Sequence, residues 1–424
     1  MTPIDQYRLD NGLRVVLNED HSAPLVAVNL WYHVGSKNER EGRTGFAHLF
    51  EHMLFSGSEN VGNNDHFRHV QSVGGTLNGT TFFDRTNYYE TLPSNYLALA
   101  LWLESDRMGF FLPALTQEKL DVQKNVVQEE RRLRYDNAPY GTWFEELLWL
   151  AFEPEFPYHW PTIGSMADIA AAELDDIREF FRAFYGPKNA TLTIVGDFEP
   201  KEARKQVETW FGSIPSGPPV EPVTTPRRSA ASESRKRIES EVQLPRLYRL
   251  YHLPPMGTAD WVTADVVAGA LASGKASRLD RALVYEKKIA QDVGVFVLPT
   301  ELAGMMIVSA TAKGGVSIDD LETELDRELE AIAVQPLSAD EVERSVNQAS
   351  TDFAHQIEQY ENRADLIGMF STFFDEPRLV SSWLERYRRV GEPDAAAFLG
   401  TYLAPENRVT VQFVPSGTEE RRDE

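Results

Sequence analysis

Residues 47–57 read AHLFEHMLFSG, and residues 264–274 read ADVVAGALASG. The two stretches align without a gap at an offset of 217 residues (264 minus 47), and both end in Ser-Gly. A second pair, YGPKNATLTIV and YLAPENRVTVQF, aligns Pro187 with Pro405 at an offset of 218. Matches at nearly the same offset, so far apart in the chain, indicate two copies of one domain.

The stretch between the copies begins at Ser213 and reads SIPSGPPVEPVTTPRRSAASESRKR. It is rich in Pro, Ser and charge and has little hydrophobic periodicity, which is typical of a linker. A chain of 424 residues is also too long for one hydrophobic core. We therefore predict an N-terminal domain at 1–213, a linker at 214–236 and a homologous C-terminal domain at 237–418.

Each copy mixes strands and helices without a regular βαβ alternation. The runs LRVVLNE from Leu13 and LVAVNLWYHV from Leu25 are rich in β-branched and apolar residues and predict paired strands. The later stretch TLNGTTFFDRTNYYETL, from Thr76, predicts a hairpin, and amphipathic helices follow it. The fold class we predict is α+β, with two homologous domains that each hold a mostly antiparallel sheet with helices packed on one face.

Composition limits the partners and the chemistry. Asp plus Glu number 65 against 42 Lys plus Arg, and the resulting net charge of -23 argues against nucleic acid and anionic membranes and favours basic peptides. The chain has no cysteine, so disulfides, thiolate zinc sites and cysteine nucleophiles are excluded. Any metal must therefore be held by histidine and carboxylate side chains.

Hydropathy predicts a soluble protein. The longest apolar runs, such as YLALALWL, fall short of the ~18 to 20 residues that a membrane helix needs. The N-terminal residues lack the basic end and apolar stretch of a secretory signal, which favours the cytoplasm, or the periplasm if a signal has been removed.

The first copy contains HLFEH, an HxxEH pattern formed by His48, Glu51 and His52. Residues four apart on a helix lie on one face, so the two imidazoles can point at one metal ion. Two neutral imidazoles suit Zn²⁺, and a carboxylate beside them can take a proton from a water molecule at the metal. The alternative is an ordinary helix surface that carries two histidines by chance.

The second copy serves as an internal control for this motif. At the three corresponding positions it holds Asp265, Ala268 and Gly269. The fold therefore does not require the two histidines and the glutamate, which favours a chemical role for them.

A catalytic zinc needs a third protein ligand. The acidic stretch DVQKNVVQEERRLRYDN offers Glu129 and Glu130, and DHFRH offers His66 and His69. Spacing does not choose among them. The histidine pair more often marks a solvated helix face, and the glutamates could equally form ion pairs with the arginines that follow them.

Together, HLFEH, a glutamate about 78 residues later, the GGTLNGTT…TNYY segment and the degenerate second copy resemble the pitrilysin family of zinc peptidases. Insulin-degrading enzyme and mitochondrial processing peptidase belong to this family. The resemblance runs from LDNGLRVVLNED to APENRVTVQF, nearly the whole chain, and its length is similar to that of short dimeric members. It implies the fold of mitochondrial processing peptidase and zinc-dependent cleavage of peptides.

The resemblance also implies roles for individual residues. In the family the two histidines and the downstream glutamate bind zinc, and the glutamate between the histidines is the general base. These roles correspond to His48, His52 and Glu51. The register of NVVQEE, in which Asn begins a six-residue stretch that ends in the ligand, selects Glu130 as the third ligand. Family members usually carry a further glutamate seven residues earlier, where this chain has Gln123.

A substrate strand is a further implication. Family members hold the peptide as an extra strand against a sheet edge near the metal, and the matching NGTT segment is Asn78, Gly79, Thr80 and Thr81. The alternative interpretation of Asn-Gly is a tight hairpin turn.

The second copy departs from the family pattern. Active members need an Arg and a Tyr, seven residues apart, that bind the substrate carbonyl opposite the zinc. The matching stretch LVYEKKIAQ has Val284 and Gln291 at these places, with Tyr285 out of register. We therefore expect a heterodimer in which a homologous partner supplies Arg and Tyr, with a homodimer as the alternative. An inactive scaffold that binds peptides or a partner without cleaving is the alternative function.

Overall fold

The computed structural model describes residues 2–223 and 234–417 of the chain. These residues form two compact units. The first consists of residues 2–131, 160–223 and 354–382, and the second consists of residues 132–159, 234–353 and 383–417. Part of the predicted linker, residues 224–233, lies outside the described residues.

A six-stranded sheet forms the centre of the first unit. Its strands are β1 (Ile4–Arg8), β2 (Arg14–Glu19), β3 (Leu25–Tyr32), β4 (Thr76–Thr81), β5 (Thr86–Pro93) and β6 (Ala190–Gly196). They lie in the order β1-β2-β6-β3-β5-β4, and all neighbours are antiparallel except β2 and β6. Strands β3 and β6 are central and almost wholly buried, whereas β4 pairs on one side only and forms an edge.

The second unit repeats five of these six strands. They are β7 (Ser234–Ser240), β8 (Arg246–Leu253), β9 (Ala290–Leu298), β10 (Gly304–Ala312) and β11 (Arg408–Pro415). Their order is β7-β11-β8-β10-β9, which matches β2-β6-β3-β5-β4 strand for strand, with the β7–β11 pair again the parallel one. The predicted α+β fold with two homologous, mostly antiparallel sheets is confirmed.

Fourteen α-helices accompany the sheets within the described residues. Those of the first half of the sequence are α1 (Phe46–Met53), α2 (Asp65–Ser72), α3 (Leu97–Phe110), α4 (Gln117–Arg131), α5 (Trp143–Ala151), α6 (Met166–Ala171), α7 (Leu174–Phe184) and α8 (Pro200–Phe211). Those of the second half are α9 (Ala259–Ala272), α10 (Ile318–Val334), α11 (Ala339–Glu358), α12 (Tyr360–Phe374), α13 (Leu379–Arg388) and α14 (Glu392–Tyr402). In the part of the chain that the structure describes, no helix is both long enough and apolar enough to cross a membrane.

The two units exchange equivalent helices. Helix α12 comes from the second half of the sequence but packs on β3 and β6 of the first sheet, and α5 comes from the first half but packs on β8 and β11. Their first residues, 143 and 360, are 217 positions apart, which is the offset of the repeat. The compact units therefore differ from the predicted ranges 1–213 and 237–418 by the exchanged segments 132–159 and 354–382. The described residues of the predicted linker are divided between the two units.

Aromatic side chains fix the exchanged helices on the sheet faces that the other helices leave open. The indole of Trp143 on α5 stacks on Tyr248 of β8 with ring centroids 4.5 Å apart. On the opposite face of β8, buried Arg249 forms an ion pair with Glu322 of α10 at 2.8 Å. Neighbouring strand residues point to opposite faces, so the second sheet is covered on both sides at β8.

Candidate metal centre and substrate edge

Helix α1 is amphipathic and carries the HxxEH motif. Its apolar residues Phe46, Ala47, Leu49, Phe50 and Met53 are buried, whereas the motif residues lie on the other side, partly exposed. Gly45 precedes the helix at φ 83°, and a Cβ there would come within 2.6 Å of the backbone oxygen of Ile163. This position therefore requires glycine.

The start of α1 is held by a carboxylate that the sequence reasoning missed. Glu39 accepts hydrogen bonds from the backbone N–H groups of Gly45 and Ala47 at 2.9 and 2.8 Å. These oxygens satisfy N–H groups at the start of the helix that would otherwise be unpaired. Burial raises the pKa of Glu39 to about 8, and the two backbone hydrogen bonds oppose this shift. The only sequence signal for this role of Glu39 is that an acidic residue lies shortly before the helix.

Helix α4 brings Glu130 to the two histidines. Oε2 of Glu130 lies 3.2 Å from Nε2 of His52 and 3.6 Å from Nε2 of His48. Glu129 is exposed, whereas Glu130 is partly buried, so the two adjacent glutamates point in different directions. Gln123 lies two helical turns earlier on α4 and is half-buried.

The spacing of these three side chains matches that of a zinc site. One ligand atom from each of the three side chains lies within 4.8 Å of the others. Bonds of about 2.0 to 2.2 Å in tetrahedral coordination place ligand atoms roughly 3.3 to 3.6 Å apart, close to the two distances from Glu130. Two imidazoles and one carboxylate form a donor set that zinc accepts with one position left open. The residues therefore fit a zinc ion.

The other predicted ligand candidates lie elsewhere. His66 on α2 is almost completely buried, and its ring packs edge-on against Phe55. Burial, together with the nearby charge of Arg107, lowers the pKa of His66 well below its usual value. The ring of His69 packs against Trp102. The interpretation of this pair as a solvated helix face is wrong for His66, because α2 turns that side chain into the apolar interior of the first unit.

Glu51 lies between the histidines and the edge strand β4. The hydroxyl of Thr81 donates a hydrogen bond to Oε2 of Glu51 at 2.7 Å. Burial raises the pKa of Glu51, and the hydrogen bond from Thr81 opposes this shift. At Gly79 a Cβ would lie 3.2 Å from Cγ of Glu51 and 2.9 Å from Cε2 of Phe55. The absence of a side chain at this position lets the strand approach the carboxylate.

The segment NGTT lies inside β4 and not in a turn. Asn78 pairs with Tyr89 and Thr81 with Thr86 in the antiparallel register with β5. The turn of the hairpin comes later, where the backbone N–H of Phe82 donates to the carbonyl of Arg85. The alternative interpretation of Asn78-Gly79 as the hairpin turn is therefore wrong.

The departures from the family pattern lie in the second unit, just before the edge strand β9 and at its start. Strand β9 corresponds to β4 of the first unit. Val284 and Tyr285 belong to the short π-helical segment Asp280–Glu286, and Gln291 lies at the start of the edge strand β9. Gln291 is exposed, and Tyr285 is 46% exposed.

Two family models match this chain. The model described as "Insulinase (Peptidase family M16)" matches residues 14–149, and the model described as "Peptidase M16 inactive domain" matches residues 171–349. The first range contains the HxxEH motif and Glu130, and the second contains most of the degenerate copy.

Several known proteins are similar to this chain. Zinc protease PqqE of Helicobacter pylori is 28% identical over 374 residues, which cover 87% of this chain and 83% of that protein. The crystal structure of a protease from Helicobacter pylori superposes with a TM-score of 0.93 at 24% identity, covering 98% of this chain and all of that one. The periplasmic protease PqqL from Escherichia coli superposes with a TM-score of 0.76 at 20% identity, covering 97% of this chain and 47% of that chain.

The similarities agree in the fold and in the order of the two copies. The family match divides the chain into a part that contains the HxxEH motif and Glu130 and a part matched by a model described as inactive, in keeping with the repeat in the sequence. This chain belongs to the insulinase family of peptidases, peptidase family M16.

Proposed function

We propose that this protein is a zinc-dependent endopeptidase and that it is the metal-binding subunit of a heterodimer. One observation carries the proposal: His48, His52 and Glu130 converge beside a carboxylate, Glu51, that is hydrogen-bonded to an open sheet edge. Metal ligands, a general base and a surface for an extended peptide thus lie together in the first unit. The names of the relatives support a zinc protease.

In this proposal His48, His52 and Glu130 hold the zinc. A bound Zn²⁺ would polarise the scissile carbonyl and lower the pKa of a water molecule to about 7. Glu51 takes a proton from the attacking water and returns it to the leaving amine. Burial raises the pKa of Glu51, which makes it a stronger base, and a pKa nearer to the working pH balances the taking of the proton against its return.

The edge of β4 would hold the substrate. Backbone groups of Asn78, Gly79, Thr80 and Thr81 that do not face β5 would pair with an added strand. The N–H of Gly79 donates to Oδ1 of Asn78 at 2.9 Å, and a peptide that paired there would replace this bond. Pairing through the backbone tolerates many sequences and would align the peptide beside Glu51. Gly79 has no side chain, and this leaves β4 close to Glu51.

A partner subunit is the second part of the proposal. Val284 and Gln291 cannot supply the positive charge and the phenol that would stabilise the developing oxyanion. We infer that a homologous chain supplies this Arg and Tyr, and that a homodimer of this chain would have little activity. For the compartment we propose the cytoplasm, with the periplasm as the alternative, because the similar protease PqqL from Escherichia coli is periplasmic.

The alternative function is a homologue that binds peptides or a partner without cleaving them. The observation that favours it is the same pair, Val284 and Gln291, together with the match of residues 171–349 to a model described as inactive. The two functions differ in one measurable property, which is hydrolysis that depends on Glu51.

The test combines metal analysis with cleavage of a peptide mixture, alone and with a homologous chain that carries Arg and Tyr. We expect about one zinc per chain and a loss of roughly 10³-fold in kcat/KM for Glu51→Gln, because general-base catalysis contributes about 10²- to 10⁴-fold. Glu130→Gln should lose zinc, and Glu129→Gln, on the exposed neighbour, should keep it. If Glu51→Gln cleaves as fast as the wild type, the mechanism is wrong.

The partner proposal has a separate measurement. In the double variant Val284→Arg, Gln291→Tyr, the isolated chain should gain peptidase activity, because it then supplies both groups itself. Full activity of the unmodified chain as a homodimer would contradict the heterodimer.

A further inference from the structure

A cavity of about 220 Å³ lies in the first unit, between helix α7 and the segment that leads into α1. Glu179, Phe180 and Phe184 of α7 line one wall, and Arg40 and Phe46 belong to the opposite wall. The residues of the metal cluster do not line it. The cavity is therefore separate from the proposed zinc site, although both involve α1.

Aromatic rings form the apolar part of the lining. The ring centroid of Phe180 lies 4.8 Å from that of Phe184 and 6.5 Å from that of Phe46. Phe46 is almost completely buried, whereas Phe180 and Phe184 remain partly exposed. Phenyl rings offer a bound aromatic group the edge-to-face and offset contacts that aromatic pairs prefer. The apolar part of the cavity therefore favours an aromatic ring.

Two charged side chains of the lining have no ionic partner among the described residues. These are Arg40 and Glu179, and both are exposed. The other pair of opposite charges in the lining is already matched, because Nε of Arg43 lies 3.0 Å from Oδ1 of Asp176. The cavity therefore offers a ligand one positive charge and one negative charge.

Glu39 also belongs to the lining but adds little charge. Both of its carboxyl oxygens accept hydrogen bonds from backbone N–H groups at the start of α1, those of Gly45 and Ala47. Burial raises the pKa of Glu39 to about 8, so that this carboxyl group is mostly uncharged at neutral pH. Arg40 and Glu179 thus decide which charges the cavity attracts.

We propose that this cavity binds a free aromatic amino acid, with its ring against Phe180 and Phe184, its carboxylate on Arg40 and its ammonium group on Glu179. A zwitterion matches one positive and one negative charge, and its zero net charge avoids repulsion by a protein of net charge -23. The site goes beyond the proposed function, because it requires neither zinc nor cleavage.

The size of the cavity favours a free amino acid over a peptide. An apolar cavity of about 150 Å³ holds one benzene ring, so 220 Å³ has room for a ring with a short polar end. Pockets for larger ligands measure about 300 to 1,000 Å³. A free amino acid also carries both charges on one carbon atom, whereas a peptide carries them at its opposite ends.

The ligand would lie against the start of the helix that carries the HxxEH motif. Phe46 is the first residue of α1, and Glu39 binds the N–H groups at the start of this helix. Both residues belong to the lining. A bound ligand should therefore reduce local opening of the helix start and slow the exchange of its backbone N–H groups.

The test is calorimetric titration of the full chain, with and without zinc, with L-phenylalanine. We expect a dissociation constant on the order of 1 mM, as for a ligand of this size, and no dependence on zinc. Two analogues each remove one charge: 3-phenylpropionate lacks the ammonium group, and 2-phenylethylamine lacks the carboxylate. Each should bind about fivefold more weakly, the ratio of one exposed ion pair. L-Alanine keeps both charges without the ring and should bind more than about tenfold more weakly.

Substitutions then assign each charge to its residue. Arg40→Gln should weaken phenylalanine and 3-phenylpropionate about fivefold and leave 2-phenylethylamine unchanged. Glu179→Gln should weaken phenylalanine and 2-phenylethylamine and leave 3-phenylpropionate unchanged. Arg182→Gln and Glu41→Gln are the matched controls, because they remove exposed charges that are close in sequence but do not line the cavity. Both controls should bind all three ligands as the wild type does.

Hydrogen–deuterium exchange locates the ligand independently of these variants. At a saturating concentration of phenylalanine, residues 38–47 should take up less deuterium than in the free chain. Protection confined to other segments would place the ligand elsewhere and overturn the proposal.

The remaining outcomes are equally decisive. Equal affinities for the three aromatic ligands, an affinity that both charge variants retain, or binding that requires zinc would each overturn the site. If the expected pattern is present but the chain cleaves no peptide even with a partner, the amino-acid site stands and the peptidase proposal fails.

Discussion

At the scale of single residues, the two copies of the duplicated helix use equivalent positions in different ways. His48 and His52 point at Glu130 in the first copy. In the second copy, Asp265 accepts a hydrogen bond from Tyr387 at 2.6 Å, and a Cβ at Gly269 would lie 2.3 Å from Oγ of Ser345. Packing against α13 and α11 therefore takes up, in the second copy, the space that the side chains of His48 and His52 take in the first.

Gly79 provides a test of how closely the edge strand must approach Glu51, the general base of the proposed function. Gly79→Ala should displace Glu51 or Phe55, because the added Cβ would lie 3.2 and 2.9 Å from their atoms. We expect kcat/KM to fall by about 10- to 100-fold with zinc content unchanged, since small displacements of catalytic groups cost this much. Steady-state kinetics and metal analysis check the prediction.

The matched control is Gly400→Ala, on the exposed side of α14 with no atom within 4 Å of the new methyl group. It should leave activity unchanged and stabilise the protein by about 0.5 to 1 kcal/mol, as alanine does in place of glycine in a helix. Unchanged kinetics for Gly79→Ala would show that the strand does not restrict the position of Glu51.

At the scale of elements, side-chain bridges connect segments that the sequence places far apart. Arg278, in the loop after α9, donates to the two carboxylate oxygens of Glu341 at 2.6 and 2.7 Å. The backbone N–H of Ser338 donates to the same carboxylate at 2.8 Å. The bridge thus fixes this loop against the start of α11.

This bridge predicts a pH-dependent contribution to stability. The hydrogen bonds from Arg278 are the main cause that lowers the pKa of Glu341 to about 2, whereas an unfolded glutamate titrates near 4.3. The stabilisation is complete above the unfolded value and is lost as the pH falls from about 5 toward 2. Glu341→Gln should lower the free energy of unfolding by about 1 to 3 kcal/mol at pH 7.

The measurement is urea unfolding of both proteins from pH 7 downward, in which the difference between them should shrink below about pH 5. Glu343→Gln, an exposed position two residues further along α11, should match the wild type throughout. A difference for Glu341→Gln that is the same at every pH would assign the effect to packing and not to the ion pair.

At the scale of the whole molecule, the exchange of α5 and α12 makes each half of the sequence depend on the other. The face of β3 and β6 that α12 covers includes Trp31, whose indole N–H donates to Asp365 at 2.8 Å. The face of β8 and β11 that α5 covers includes Tyr248, which stacks on Trp143. Either half of the sequence, if produced alone, would leave one of these two apolar sheet faces exposed to water.

We therefore expect fragments 1–213 and 237–418 to lack cooperative unfolding when each is produced alone. Produced together, they should associate and recover it, because each then receives the helix that it lacks. Circular dichroism melting of the separate and combined fragments checks this. A cooperative transition of fragment 1–213 by itself would show that α12 is dispensable for the first unit.

The sequence by itself determined the duplication, the α+β class and the motif. The offset repeat and the strand periodicity are local patterns, and HxxEH lies within one helix, so each can be read from neighbouring residues. The sequence also showed which copy lacks the motif, because segments 47–57 and 264–274 align without a gap and differ at the three motif positions. The register of NVVQEE, compared with the family pattern, selects Glu130 from the sequence alone.

Only the tertiary structure decided which sheet each helix covers and what surrounds the motif. The exchange of α5 and α12, the carboxylate of Glu39 at the start of α1 and the burial of His66 all depend on residues distant in the chain. The same holds for Asn78-Gly79, whose turn propensity was overridden by pairing with β5. The physical reason is that packing and long-range hydrogen bonds outweigh local preference wherever a segment is buried between two others.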